Sequence, residues 1–124
     1  AHLLEAPPQV AWVKYAGLPD QPEHALAQQY CSGQPAGILS FGIVGGQPAG
    51  ARFIDALQLV VRLVNIGDAK SLACHPASTT HRQLNDEELE KAGVPRDMVR
   101  LSIGIEHIDD ILADLNQALL AAKA

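Results

Sequence analysis

Residues 64–106 read VNIGDAKSLACHPASTTHRQLNDEELEKAGVPRDMVRLSIGIE, and the succession of turn, cap and strand signals in this run decides the fold. Near its end Val99, Leu101, Ile103 and Ile105 alternate with Arg100, Ser102 and Gly104. Successive side chains of a strand point to opposite faces, so the pattern predicts a strand with its aliphatics against a core and its arginine on the other face. Just upstream, Asn85-Asp86-Glu87-Glu88 has the form of a capping box, in which the Asn85 side chain accepts a first-turn amide and Glu88 reaches back. Gly93 and Pro95 then stop that short helix. Strands interleaved with helices ordinarily suggest a parallel α/β sheet, but the strands here are short and the piece from Ser71 to Asn85 is long and irregular. The expected fold class is therefore α/β in the α+β sense: a small, mostly antiparallel sheet with helices on one face.

Upstream, residues 36–44 read as a strand with Ile38, Ser40 and Gly42 on one face and Leu39, Phe41 and Ile43 on the other. Gly45-Gly46 ends it, and Pro48 starts a helix in which Phe53, Ile54, Leu57, Val60 and Val61 form one apolar stripe. Residues 10–13 are a short apolar run closed by the Gly17-Leu18-Pro19 turn, and a helix is expected over residues 24–30. After residue 106 a last helix follows, with Ile108, Ile111, Leu112, Leu115 and Leu119 as its stripe and Asp109 and Asp110 in the first turn, where the helix dipole favours negative charge. Residues 1–6 look like the last turns of a helix that Pro7 and Pro8 stop.

The chain has 124 residues, 48% of them hydrophobic but only 4% aromatic, so its single core must be built from Ala, Leu, Ile and Val. A net charge of -5 without a Lys/Arg cluster argues against nucleic acid, and no apolar run reaches the ~20 residues of a membrane span. Cys31 and Cys74 fall short of a disulfide framework and read as reduced thiols of a cytoplasmic protein. Cys74, His75 and His81 make a poor zinc set, and Gly42 with Gly45-Gly46 matches neither standard phosphate-loop spacing. No metal site is expected.

The run NIGDAKSLACHPASTTHRQL, followed by RLSIGIE, resembles the carboxy-terminal part of the pyridoxal-phosphate enzymes of cysteine and methionine metabolism, and its spelling looks most like their O-acetylhomoserine sulfhydrylase branch. The likeness extends from Trp12-Val13-Lys14-Tyr15 and Gly17-Leu18-Pro19 through Arg52-Phe53-Ile54-Asp55 to the last helix. It implies the carboxy-terminal domain of a fold-type I enzyme, with residues 1–8 the end of an interdomain helix and linker, residues 9–124 a substrate-positioning domain, and the large cofactor-binding domain absent. Implied with it are pyridoxal phosphate as electron sink, held as a Schiff base by a lysine of that large domain, O-acetylhomoserine and sulfide as substrates, and a homo-oligomer, a tetramer by family resemblance. None of Lys14, Lys70, Lys91 or Lys123 stands in the Ser/Thr-rich context of the family's Schiff-base lysine, so no catalytic residue is expected in this chain, and the fragment alone is expected to be inactive.

Arg100 is the leading site residue. From pattern alone, an arginine alternating with aliphatics reads as solvent-facing. The RLSIGIE resemblance instead implies the ligand of the substrate α-carboxylate, a task that suits the planar guanidinium fork. Asn65, where other branches carry serine, offers an amide donor that could share that carboxylate, and otherwise reads as a turn residue. Thr80 matches the family threonine near the arginine and is a candidate supporting contact. The rival reading is a stand-alone α+β module that binds an amino acid or a protein partner through Arg100.

Overall fold

The computed structural model describes residues 1–123. Its strands are β1 (Val10–Lys14), β2 (Ile38–Ile43), β3 (Val61–Arg62), β4 (Leu72–Cys74) and β5 (Met98–Ser102). The helices are α1 (His2–Glu5), α2 (His24–Tyr30), α3 (Gly46–Ala56), α4 (Asp86–Lys91) and α5 (Ile108–Ala122), with one 3-10 turn at Pro76–Ser78. The strands form one sheet in the order β1-β2-β5-β4-β3, antiparallel throughout except for the parallel β3–β4 pair at one edge. The mostly antiparallel sheet expected from the sequence is thus the observed one.

The core lies on one face of that sheet. Leu39, Phe41 and Ile43 of β2, Val99 and Leu101 of β5 and Ala73 of β4 pack with Phe53 and Ile54 of α3, Leu4 of α1, and Ile111, Leu115, Ala118 and Leu119 of α5. Phe41 and Phe53 are fully buried and meet edge to face, with ring centroids 5.4 Å apart at 83°. Burial stabilises each such side chain by roughly 1.5–3 kcal/mol, and an edge-to-face pair adds about 0.5–1.5 kcal/mol more. The Arg52 guanidinium donates to the Ala122 carbonyl at 3.0 Å, tying α3 to a last-turn carbonyl of α5 that has no partner within its own helix.

The capping box of α4 forms in full. The Asn85 side chain accepts the Glu88 amide at 3.0 Å, and Glu88 accepts the Asn85 amide at 2.9 Å. Beyond the helix Gly93 takes φ 72°, the left-handed geometry that favours glycine at a helix end.

Other expectations need correction. The helix begun near Pro48 stops at Ala56, and Val61 lies in edge strand β3 rather than on a helical stripe. What ends it is distant in sequence. Asp114 of α5, only 6% exposed, accepts the Gln58 amide at 2.9 Å and the Leu59 and Val60 amides at 2.8 Å each, and so holds the chain away from helical geometry. The connection read as irregular contains β4, followed by the 3-10 turn. Strand β5 ends at Ser102, leaving Ile105 86% exposed, and Ile108 is 58% exposed at the start of α5.

Candidate functional site

The face of the sheet turned away from the helical core carries the candidate site. In register, Lys14 pairs with Ser40, Ser40 with Arg100, and Arg100 with Cys74, so these side chains form one row across β1, β2, β5 and β4. Directly paired residues share a face. Arg100 therefore projects opposite Val99 and Leu101, both wholly buried, as the alternation in sequence predicts.

Arg100 is half-buried as a residue, and its guanidinium donates from Nη2 to the Asn65 main-chain carbonyl at 3.5 Å, an exposed contact at the long limit of a hydrogen bond. Ion pairs among the described residues engage His2, Arg62, Arg96 and His107. Arg100 has no carboxylate partner among the described residues. An arginine fixed at the centre of a sheet, in a chain of net charge -5, thus keeps most of its donor fork for an external anion.

Beside it Cys74 is 2% exposed, and burial pushes its thiol above the ordinary value of 9.0. The Arg100 charge and a hydrogen bond from Arg100 pull the other way without overcoming burial. The row therefore presents a cation next to a neutral thiol.

Asn65 comes to Arg100 through its backbone, not its side chain. Its Oδ1 accepts the Ile66 amide at 2.8 Å, Gly67 takes φ 76°, and Asp68 Oδ1 accepts the Lys70 amide at 3.0 Å, so the NIGDAK segment is a tight self-bonded loop. The amide nitrogen of Asn65, the group nominated from sequence, makes no hydrogen bond among the described residues. Thr80 is exposed and pairs with His81 Nδ1 at 2.8 Å, sharing no hydrogen bond with Arg100 or Asn65 among the described residues. The structure therefore joins Arg100 to Asn65 and places Thr80 at the rim of a cleft lined by residues 79–84.

His75 is 4% exposed and fully employed. The Arg96 carbonyl can only accept, so Nε2, 2.6 Å from it, carries the ring proton, and Nδ1 faces the Ser78 hydroxyl at 2.9 Å. Among the described residues no group of three His, Cys, Asp or Glu side chains is arranged to hold a metal ion. No helix among them is long and apolar enough to cross a membrane.

Sequence reasoning missed the neighbours of Arg100, because Cys74 joins the row only through β4. The same face carries Gly42, where a Cβ would overlap the Trp12 indole and the Asp97 carboxylate. Trp12 lies across that glycine and donates to Asp97 Oδ2 at 2.9 Å, while the Lys14 ammonium stands 5.5 Å from the indole centroid, within cation–π range.

The profile of the family described as Cys/Met metabolism PLP-dependent enzyme matches residues 1–120. The chain is 54% identical to the O-acetyl-L-homoserine sulfhydrylase 1 of Thermus thermophilus, covering 96% of this chain and 28% of that relative. It is 48% identical to the homocysteine synthase of Schizosaccharomyces pombe, over 98% of this chain and 28% of the relative. The L-methionine gamma-lyase of Pseudomonas putida is 49% identical over 98% of this chain and 30% of its own length. A crystal structure assigned as an O-acetylhomoserine (thiol)-lyase from Campylobacter jejuni, which contains pyridoxyl-lysine monophosphate, superposes with a TM-score of 0.89 at 42% identity, over 97% of this chain and 28% of that one. The chain thus spans under a third of the length of these relatives.

Pyridoxal phosphate is the cofactor of the matched family. Lys14, Lys70, Lys91 and Lys123 are all exposed.

Proposed function

Because this chain belongs to the Cys/Met metabolism PLP-dependent enzyme family, we propose that it is the carboxy-terminal, substrate-positioning domain of an O-acetylhomoserine sulfhydrylase, which replaces acetate by sulfide to form homocysteine. Residues 1–8 end the interdomain helix and linker, residues 9–124 form the domain, and a large domain outside this chain holds the cofactor. The full protein works as a cytoplasmic homo-oligomer, a tetramer.

The observation that carries this reading is the half-buried Arg100, held by its strand neighbours, touched by the Asn65 carbonyl, and without a carboxylate of its own among the described residues. Its role is to take the α-carboxylate of the amino-acid substrate in the guanidinium fork. A fork fixed in plane and position restricts the bound amino acid to one orientation, and that restriction lowers the entropic part of the barrier. The Asn65 amide nitrogen supplies a second donor to the same carboxylate, and Thr80 contributes from the rim. The 54% identity with the Thermus sulfhydrylase, against 49% for the lyase relative, supports γ-replacement over elimination.

The test is Arg100→Ala in the full-length protein. Losing one partner of a buried charge pair typically costs ~2 to 5 kcal/mol. At ~1.4 kcal/mol per tenfold, kcat/KM for O-acetylhomoserine falls roughly thirty-fold to several thousand-fold. Arg100→Lys recovers part of the loss, since an ammonium lacks the planar fork. Both variants keep bound cofactor, read from its absorbance. A folded Arg100→Ala enzyme with near-normal efficiency, or one that loses cofactor, removes the assignment. An amino-acid-binding module without an enzymatic domain would show no turnover in the full-length protein at all.

A further inference from the structure

The loop that touches Arg100 is itself exposed, yet both of its ends are pinned. At one end the Leu63 amide donates to the Ala73 carbonyl at 3.2 Å, continuing the β3–β4 pairing. At the other end the chain re-enters the sheet at Ser71, whose side chain is wholly buried. There Glu106 accepts twice: the Ser71 amide donates to Oε2 at 2.7 Å and the Ser71 hydroxyl to Oε1 at 2.8 Å. The hydroxyl oxygen in turn accepts the Gly104 amide at 2.9 Å, and the Ile105 amide donates to the Ala69 carbonyl at 2.9 Å. A Cβ at Gly104 would overlap the Ala69 carbonyl and the Lys70 backbone, so the close passage of residues 69–71 over the end of β5 requires glycine there.

We propose that Glu106 is a positioning residue for the Arg100 site: by clamping Ser71 to the continuation of Arg100's own strand, it fixes where the Asn65 carbonyl meets the guanidinium. The inference rests on the reading of Arg100 as the carboxylate ligand. A main-chain carbonyl on Nη2 uses one donor of the fork and sets the plane in which the remaining donors lie. The Asn65 loop supplies that carbonyl from an exposed position, with no core packing of its own, since Leu63, Val64 and Ile66 are all exposed. Its position is therefore set by its ends. Of the two, the Glu106 end is the one made of charge-assisted hydrogen bonds to a carboxylate, which are shorter and stronger than neutral ones. Glu106 touches neither the substrate carboxylate nor any reacting atom in this scheme. It acts through Ser71, the loop and Arg100.

The experiment is a double-mutant cycle in the full-length holoenzyme with Glu106→Ala, Arg100→Ala and the pair. A misplacement of about 1 Å can cost about 100-fold, so Glu106→Ala lowers kcat/KM for the amino-acid substrate ~10- to 100-fold, with KM for sulfide and cofactor content near those of the parent. In the Arg100→Ala background the same change adds less than about twofold, the non-additivity expected of residues acting through one another. Glu106→Gln, which keeps an acceptor for the Ser71 amide, falls between, and Ser71→Ala reproduces the direction of the effect should Glu106→Ala fail to fold. An effect of Glu106→Ala that persists undiminished on Arg100→Ala, or that lowers kcat and cofactor content together, overturns the proposal and leaves Glu106 a purely structural clamp. If Arg100→Ala itself leaves kcat/KM unchanged, the carboxylate reading of Arg100 has failed, and the positioning role falls with it.

Discussion

Cys74 stands directly opposite Arg100 across the β4–β5 ladder, so the thiol and the guanidinium share one face of the sheet. A nearby cation normally favours the thiolate. Here burial has the larger effect, and the net shift of Cys74 is upward. The relationship supports binding by Arg100 and argues against Cys74 as a nucleophile.

Thiol labelling follows from this difference. A maleimide added to the folded protein labels the exposed Cys31 and spares Cys74, which is 2% exposed; in denaturant both react. Peptide mapping by mass spectrometry reads the outcome. Cys74 labelling as fast as Cys31 under native conditions contradicts the burial described here.

Asp114 governs acid stability. Burial pushes its carboxyl up, but hydrogen bonds from the Val60, Gln58 and Leu59 amides and the Gln117 side chain together hold it below the ordinary value of 3.8. A carboxylate whose folded pKa is depressed contributes stability that is fully present above the unfolded value and is lost as pH falls through the folded one. Glu106, lowered from 4.5 by its Ser71 bonds despite burial, acts in the same sense. Stability should therefore hold down to about pH 4.5 as far as these two groups are concerned, and drop below it. Asp114→Asn keeps one acceptor, so it costs about 2–3 kcal/mol at neutral pH and flattens the acid limb of the curve. Urea titrations from pH 3 to 7 check both; an unchanged acid limb in the variant counts against the assignment.

Gly42→Ala is expected to disturb the open face without touching the core. The added methyl overlaps the Trp12 indole and the Asp97 carboxylate, so the bond between them breaks or the indole lifts. Overpacking of this kind costs roughly 1–3 kcal/mol. Trp12 is the single tryptophan of this chain, and its fluorescence emission should shift to longer wavelength as the ring is exposed. Unchanged emission and unchanged stability would show that the glycine is not required.

Legibility in the sequence followed locality. The α4 capping box and the alternating faces of β2 and β5 depend on residues a few positions apart, and each forms as read. The placement of Arg100 opposite the aliphatics came from the same local rule. Strand β4 is only Leu72-Ala73-Cys74, buried on both faces, and shows no alternation that distinguishes it from a loop. The end of α3 was illegible because the apolar repeat runs on past it, while the carboxylate that captures the following amides lies 54 positions beyond Val60. Ile105 was expected inside because the strand pattern continues to it, but Gly104 admits the Ala69–Lys70 backbone at that point and the ladder has already ended. At the site, Asn65 was legible as a neighbour of Arg100, though the atom that makes the contact was not.

β5 is flanked on both sides: all five of its residues pair with β2, and Arg100, Leu101 and Ser102 pair with β4 as well. The backbone of the arginine therefore takes its place from a rail held on both sides, whereas the plane of its fork depends on the loop that brings the Asn65 carbonyl to it. The residues beneath it matter in a different way. Val99 and Leu101 flank Arg100 on the same rail and are wholly buried against the helices, so a repacking of the core by even one methylene is transmitted to the guanidinium as a tilt of the strand. The hidden layer behind the site is thus a second place, besides the loop that clamps the fork, where small substitutions would be felt as altered recognition.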